Sequence, residues 1–220
     1  MITFSLFRIL ITVRDILSWI SFINLTAHNW RHSYEHGAYL VFIDAIDSSA
    51  PIKQSTIDFL SKQQENKFSI HSNITMNDDC LTFAGYSIPR GPIIDQTHEE
   101  YSFQAPTILS NIQRLFRAMQ LPNKPILIEG SPGVGKTSLV IALAKLAGYS
   151  YVRINLSEQT DISDLFGSDL PDVENGRAGQ FKWHDGPLLT AIKNNQWIIL
   201  DEVNSSSSSH DHHFNSFVFF

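Results

Sequence analysis

Residues 130–137 read Gly130-Ser131-Pro132-Gly133-Val134-Gly135-Lys136-Thr137, the G-x-x-x-x-G-K-T spacing of a phosphate-binding loop, or Walker A motif. Glycines at 130, 133 and 135 allow backbone conformations that a Cβ forbids, so successive N–H groups can turn inward on phosphate oxygens. A helix beginning near Lys136 adds its positive end to the same anion site. Lys136 can bridge the β- and γ-phosphates of ATP, and the Thr137 hydroxyl can ligate Mg2+. Ser131, Pro132, Val134 and Ser138 complete the set of nucleotide-binding positions. The bland alternative is a glycine-rich turn with no ligand. A strand before the loop and an apolar helix after it argue against that reading.

A second chemical signal lies downstream. Trp197-Ile198-Ile199-Leu200-Asp201-Glu202 is a hydrophobic strand ending in two acids, the Walker B pattern. Acids at the carboxyl end of a parallel strand emerge where α/β sheets bind their ligands. Asp201 is expected to hold Mg2+ through its water shell and Glu202 to act as general base on the attacking water. Adjacent acids after a strand are common, and the pattern gains its force from the Walker A loop upstream. The Asp-Glu pair favours ATP hydrolysis over kinase or GTPase chemistry.

The elements that must carry these residues follow from the pattern around them. Pro125–Glu129 reads as a short buried strand leading into the loop. Leu139–Ala147 is apolar almost all round, as a helix buried beside a sheet would be, and Gly148 suits its end. Tyr151–Asn155 is a second strand. Upstream, Thr107 is placed to cap a helix whose Ile108, Leu109, Ile112, Leu115, Phe116 and Met119 form one apolar stripe. At the amino end, Thr12 and Asp15 have capping-box spacing, and Ile16, Leu17, Trp19, Ile20, Phe22 and Ile23 repeat at helical spacing behind them. Ala38–Ile46 reads as a further short helix. His28, His32 and His36 share four-residue spacing, but residues eight apart lie about 12 Å apart along a helix, too far to converge on one zinc. From Asp47 to about Asp79 the chain turns polar, which reads as a linker or surface excursion.

Composition limits the function classes. Sixteen Lys+Arg against twenty-two Asp+Glu give a net charge of -6, with no basic footprint for duplex nucleic acid. A single cysteine, Cys80, excludes an internal disulfide framework and a multi-cysteine zinc site. The apolar runs fall short of the roughly 20 residues a membrane span needs. Neither sequence-specific nucleic acid nor a membrane is therefore an expected partner.

The stretch KPILIEGSPGVGKTSLVIALAKLAGYSYVRINLSEQTDISDLFGSDLP, continued by GQFKWHDGPLLTAIKNNQWIILDEVN, resembles a AAA+ module of the midasin family of dynein-related ATPases. The run TVRDILSWISFIN, with HGAYLVFIDAI after it, is similar to the lid of the preceding module. The resemblance implies an α/β fold, the P-loop NTPase parallel sheet of AAA+ proteins, incomplete here and preceded by a helical lid segment of a neighbouring module. It implies a lid-like segment over 1–46, a polar linker over 47–100, the first half of a AAA+ core over 101–204 and a low-complexity, disordered tail over 205–220. Carried over by position, Gly130 to Thr137 bind ATP while Asp201 and Glu202 serve Mg2+ and water. Asn155 orients Glu202 as a glutamate switch, and Arg14 is the sensor-2 arginine of the preceding module. At the level of the parent protein it implies ATP-driven remodelling in the nucleolus and nucleoplasm, within a ring of AAA+ modules in one chain. That machine releases assembly factors from pre-60S ribosomal particles.

After Asn204 the family pattern gives way to Ser205–Ser209 and HDHHFNSFVFF. The pattern leads one to expect a truncated or misjoined gene model. The family's sheet order, 5-1-4-3-2, would leave the Walker A strand without either neighbour and its buried N–H and C=O groups unpaired. Weak nucleotide binding and negligible turnover by the isolated chain are then expected. Two alternatives stand beside the ATPase: a non-catalytic ATP-binding scaffold and a MoxR-like chelatase-type AAA+ ATPase. The RINLSEQTD–DLFG series argues against the latter.

Overall fold

The computed structural model describes residues 12–26, 30–44, 55, 74–93, 102–131, 133–157, 159–171, 181–203 and 215–219. Helix α1 (Val13–Leu25) begins with the expected capping box: the Thr12 Oγ1 accepts from the Asp15 N–H at 3.3 Å, and the Asp15 carboxylate accepts from the Thr12 N–H at 2.8 Å. Helix α2 (Trp30–Ala38) runs directly into a π-helical turn, Tyr39–Ile43. The two helices approach at Gly37, where a Cβ would lie 2.6 Å from the Trp19 ring. Trp19 donates from Nε1 to the Tyr34 carbonyl at 2.9 Å. Much of the apolar stripe of α1 stays exposed, including Val13, Ile16, Leu17 and Ile20; Phe22 is fully buried. His32 and His36 stack on each other at 4.1 Å, and His28 lies outside the described residues.

The polar linker expected over 47–100 is corrected within its described part. Thr75–Met76 (β1), Cys80–Phe83 (β2) and Tyr86–Pro89 (β3) form an antiparallel meander. Leu81, Phe83, Tyr86 and Ile88 alternate with polar residues and point into the main core. Ala84 (φ 51) and Gly85 (φ 83) make the turn with both residues left-handed, the arrangement that matches strand twist in a two-residue hairpin. Period-two burial, rather than average polarity, decides this segment.

Helix α3 (Pro106–Ala118) buries Ile112, Leu115 and Phe116, as its stripe predicts. Its start differs from expectation: Ala105 is the N-cap, Pro106 occupies the first turn, and Thr107 sits inside the helix. Proline's fixed φ suits the first helical position, where no N–H is needed. Arg117 of α3 reaches across to Asp44 at 2.7 Å, with Arg114 at 3.5 Å, joining α3 to the amino-terminal helices.

The remaining elements build a sheet covered on both faces. Ile126–Ile128 (β4) leads through the phosphate loop into α4 (Lys136–Ala147), then β5 (Tyr151–Asn155) and the short α5 (Ile162–Phe166). Gly167–Pro171 (β6) and Phe181–Asp185 (β7) form a largely exposed antiparallel ribbon. Helix α6 (Pro187–Lys193) returns to β8 (Trp197–Val203), and Asn215–Phe219 (β9) follows. The sheet order is β4-β9-β8-β5. Trp197 and Ile199 face the core that α4 shares with the meander. Ile198 and Ile154 face a smaller core with Ala191 of α6.

Strand β9 corrects two expectations. The tail is ordered over 215–219, and it lies between β4 and β8, antiparallel to both. On the side facing β9, the backbone groups of β4 expected to be orphaned are thereby paired, through Ile126↔Val218, Leu127↔Phe217 and Ile128↔Ser216, and β4 forms one edge of the described sheet. The physical cause is that an alternating Ser-Phe-Val-Phe strand offers both ladder hydrogen bonds and a buried side chain, Val218, to a slot with two open edges. The sheet is therefore mixed, with β5 and β8 parallel.

At the far end of α4, Gly148 adopts φ 80. Its neighbour is Gly91, where a Cβ would lie 2.1 Å from the Gly148 carbonyl oxygen. The Gly91 N–H donates to the Ala147 carbonyl at 2.7 Å, and the Ile93 N–H to the Gly148 carbonyl at 3.0 Å.

Candidate functional site

The phosphate loop takes the backbone form its glycines allow: Gly130, Gly133 and Gly135 have φ of 157, 77 and 85. A Cβ at Gly133 or Gly135 would meet nothing within 4 Å, so the left-handed backbone and not crowding calls for glycine at these two positions. Lys136 lies at the start of α4 and donates from Nζ to the carbonyls of Gly130 (2.7 Å) and Ser131 (2.9 Å). These bonds take two of the ammonium's three donors and hold it over the loop. Ser131, Val134 and Ser138 are exposed. Pro132 lies outside the described residues.

Across from the loop, β8 delivers Asp201. Its Oδ2 accepts from the Thr137 hydroxyl at 2.9 Å, which joins the two candidate metal ligands directly. The same oxygen accepts from Arg153 of β5, at 2.9 Å from Nε and 2.7 Å from Nη2. Asp201 Oδ1 accepts from the Ser216 hydroxyl of β9 at 2.7 Å and from the Glu202 N–H at 3.1 Å. Burial pushes the Asp201 carboxyl up. The Ser216 and Thr137 hydroxyls, the Arg153 charge and the Glu202 N–H outweigh that and hold it below the usual value.

Glu202 follows with φ 60, at a register irregularity between β8 and β9 that spans Leu200 to Val203. A bulge of this kind re-aims a side chain, and Glu202 is turned outward to solvent. A left-handed non-glycine residue costs about 1–2 kcal/mol and is found where surrounding structure holds it. Asn155 stands level with Asp201 in the β5–β8 register. It is exposed, and no hydrogen bond joins it to Glu202 among the described residues. Arg14 is exposed on the first turn of α1.

The residues present fit a Mg–nucleotide. The left-handed loop at a helix start is an anion cradle, and a hydroxyl beside a carboxylate is an oxygen donor set suited to a hard divalent cation. Two residues of this cluster escaped the motif reading. Arg153 was signalled by period two: it shares a strand face with Asn155, and that face carries Asp201 across the ladder. Ser216 had no comparable signal, because its place depends on β9 entering the sheet.

Residues 125–216 match the AAA domain of the dynein-related subfamily, and residues 7–44 match the midasin AAA+ ATPase lid domain. The chain is 41% identical over 233 residues to midasin of Dictyostelium discoideum, a match covering 90% of this chain and 4% of that protein. The chain belongs to the midasin family. Midasin of Giardia intestinalis is 48% identical over 128 residues, 56% of this chain and 2% of that protein. The AAA+ core is shared more distantly with the replication factor C large subunit of Archaeoglobus fulgidus, at 32% identity over 108 residues, covering 48% of this chain and 21% of that protein. The chain thus spans 4% or less of the length of the two midasins. Its fold is the α/β fold of AAA+ ATPase modules, preceded by a midasin-type lid.

Proposed function

We propose that this chain binds Mg–ATP at the Gly130–Thr137 loop and contributes the hydrolytic residues of a midasin AAA+ module. The observation that carries the reading is the 2.9 Å contact between the Thr137 hydroxyl and the Asp201 carboxylate, set against the amino end of α4. Loop N–H groups and Lys136 bind the phosphates, and Thr137 with Asp201 would hold Mg2+. When bound, the metal neutralises charge developing on the phosphates. Glu202 accepts the proton of the attacking water, with Asn155 as the residue proposed to orient it. The similarity to midasins supports the further reading that the parent protein drives remodelling and assembly-factor release in large-subunit ribosome biogenesis, in the nucleolus and nucleoplasm. Neighbouring AAA+ modules and the pre-60S particle are the partners this implies.

The test is nucleotide binding by the full 220-residue chain, followed with a fluorescent ADP and Mg2+. Lys136→Ala removes a charge-assisted contact worth about 1.5–3 kcal/mol, so affinity is expected to fall about ten- to a hundredfold. Glu202→Gln is expected to keep binding in this chain and to lose turnover in the parent protein. Binding that is indifferent to Lys136 would sink the nucleotide reading. Turnover in the parent protein that is indifferent to Glu202→Gln would leave a scaffold that only holds ATP.

A further inference from the structure

The partners of Asp201 divide by charge and by burial. Ser216 is 1% exposed and neutral; the Thr137 hydroxyl is also neutral, on a half-buried residue. Arg153 carries a full positive charge, and its side chain is 47% exposed at the edge strand of the sheet, against 8% for Asp201. Arg153 is therefore the charged partner and the most exposed of the side chains that bond Asp201, so it can leave the carboxylate without opening the core. It also sits on the oxygen that matters, because Oδ2 is shared between the guanidinium and Thr137.

We propose that Arg153 is a resident cation of the metal-binding carboxylate: it neutralises Asp201 before a divalent metal arrives, gives up Oδ2 when Mg2+ enters with nucleotide, and thereby sets the metal affinity. The inference rests on the Mg–nucleotide reading above. Mg2+ requires a near-octahedral oxygen shell built from one or two protein oxygens and several waters. Guanidinium nitrogens at 2.7 and 2.9 Å from Oδ2 take up accepting capacity on that oxygen that Mg2+ or its bound waters would use. Two cations at one carboxylate oxygen also repel each other. An arginine stays charged at any working pH, so the exchange follows metal concentration and not proton concentration. Once displaced, the guanidinium remains on the exposed edge of β5, and Asp201 keeps its neutral donors.

The experiment uses the full 220-residue chain with fluorescent ADP, titrated with Mg2+, and thermal melting in EDTA and in saturating Mg2+ with ADP. Arg153→Gln is expected to lower the Mg2+ midpoint about two- to fivefold. It should melt below the wild type in EDTA and at or above it in Mg2+–ADP, with Arg153→Lys between the two. An unchanged or higher Mg2+ midpoint overturns the proposal. So does a melting deficit that persists undiminished in Mg2+–ADP, which is what a purely structural ion pair produces. If Arg153→Gln fails to melt cooperatively, Arg153→Lys is read by the same criteria. If the wild type binds no ADP, the nucleotide reading falls first. The present inference is then judged on melting with Mg2+ alone, where the absence of any crossing between variant and wild type overturns it.

Discussion

Among the described residues two aspartates pair with arginine, Asp44 at the seam and Asp201 at the nucleotide site, and the shorter pair at each place buries the opposite partner more deeply. At the seam between the lid helices and α3, Arg117 is 6% exposed while Asp44 is 16% exposed. Tyr39 lies 5.4 Å from the Arg117 guanidinium, and Arg114 approaches Asp44 from the other side. At the nucleotide site it is the carboxylate, Asp201, that is buried, while its arginine stands in solvent. A buried guanidinium cannot leave without stranding its charge, so the seam pair is a fixed fastening. An exposed guanidinium on a buried carboxylate can be exchanged for another cation. The same two residue types therefore give a permanent joint in one place and a replaceable ligand in the other.

The largest effect that would test this contrast is at the seam. Arg117→Met leaves Asp44 with Arg114 alone at 3.5 Å and should cost up to about 3 kcal/mol, read as a lower urea midpoint. A loss below about 1 kcal/mol would place the seam pair in the same class as a surface ion pair. Ser216→Ala comes next. It removes a hydroxyl donor from the buried Asp201 carboxylate, at about 1–3 kcal/mol, and an unchanged urea midpoint would mean that β9 contributes nothing there.

The third effect is a pH dependence on the seam side. Burial, with the Arg117 and His32 charges adding to it, pushes His36 down from 6.5 to about 2. His32 stacks on it, and the rings of Tyr39 and Tyr86 pack beside it. Folded His36 stays neutral where the unfolded chain takes up a proton. The stability it contributes is complete above pH 6.5 and is lost as pH falls from 6.5 toward 2, at about 1.4 kcal/mol per pH unit. His36→Phe should flatten the fall in melting temperature between pH 6.5 and 5. A slope unchanged by that substitution would assign the pH dependence to other groups. The smallest effect is the loss of folding stability of Arg153→Gln in EDTA, below about 1 kcal/mol because the arginine is half in water.

How far the sequence announced this structure depended on whether a signal was local. The phosphate loop, the strands at 151–155 and 197–203, the α3 stripe and the capping box at Thr12 are each written in contiguous residues, and each stands where its pattern put it. The meander was misread because polarity averaged over a long stretch concealed the alternation of Leu81, Phe83, Tyr86 and Ile88. Strand β9 was hidden for a different reason. Five residues after a serine run gain a place only when two distant edges, β4 and β8, are already formed. Such non-local pairing leaves little local trace, and Ser216 inherits that silence.

The paired glycines at 91 and 148 give α4 a second role. With no side chain at either position, the backbone after the meander closes directly on the carboxyl end of this helix. Twelve residues make α4 a strut about 18 Å long. One end is pinned to the segment that carries the meander, and the other is the rim of the phosphate loop. A side chain at 91 or 148 would prise the pinned end of the strut from the segment after the meander, at the opposite end from Lys136 and Thr137.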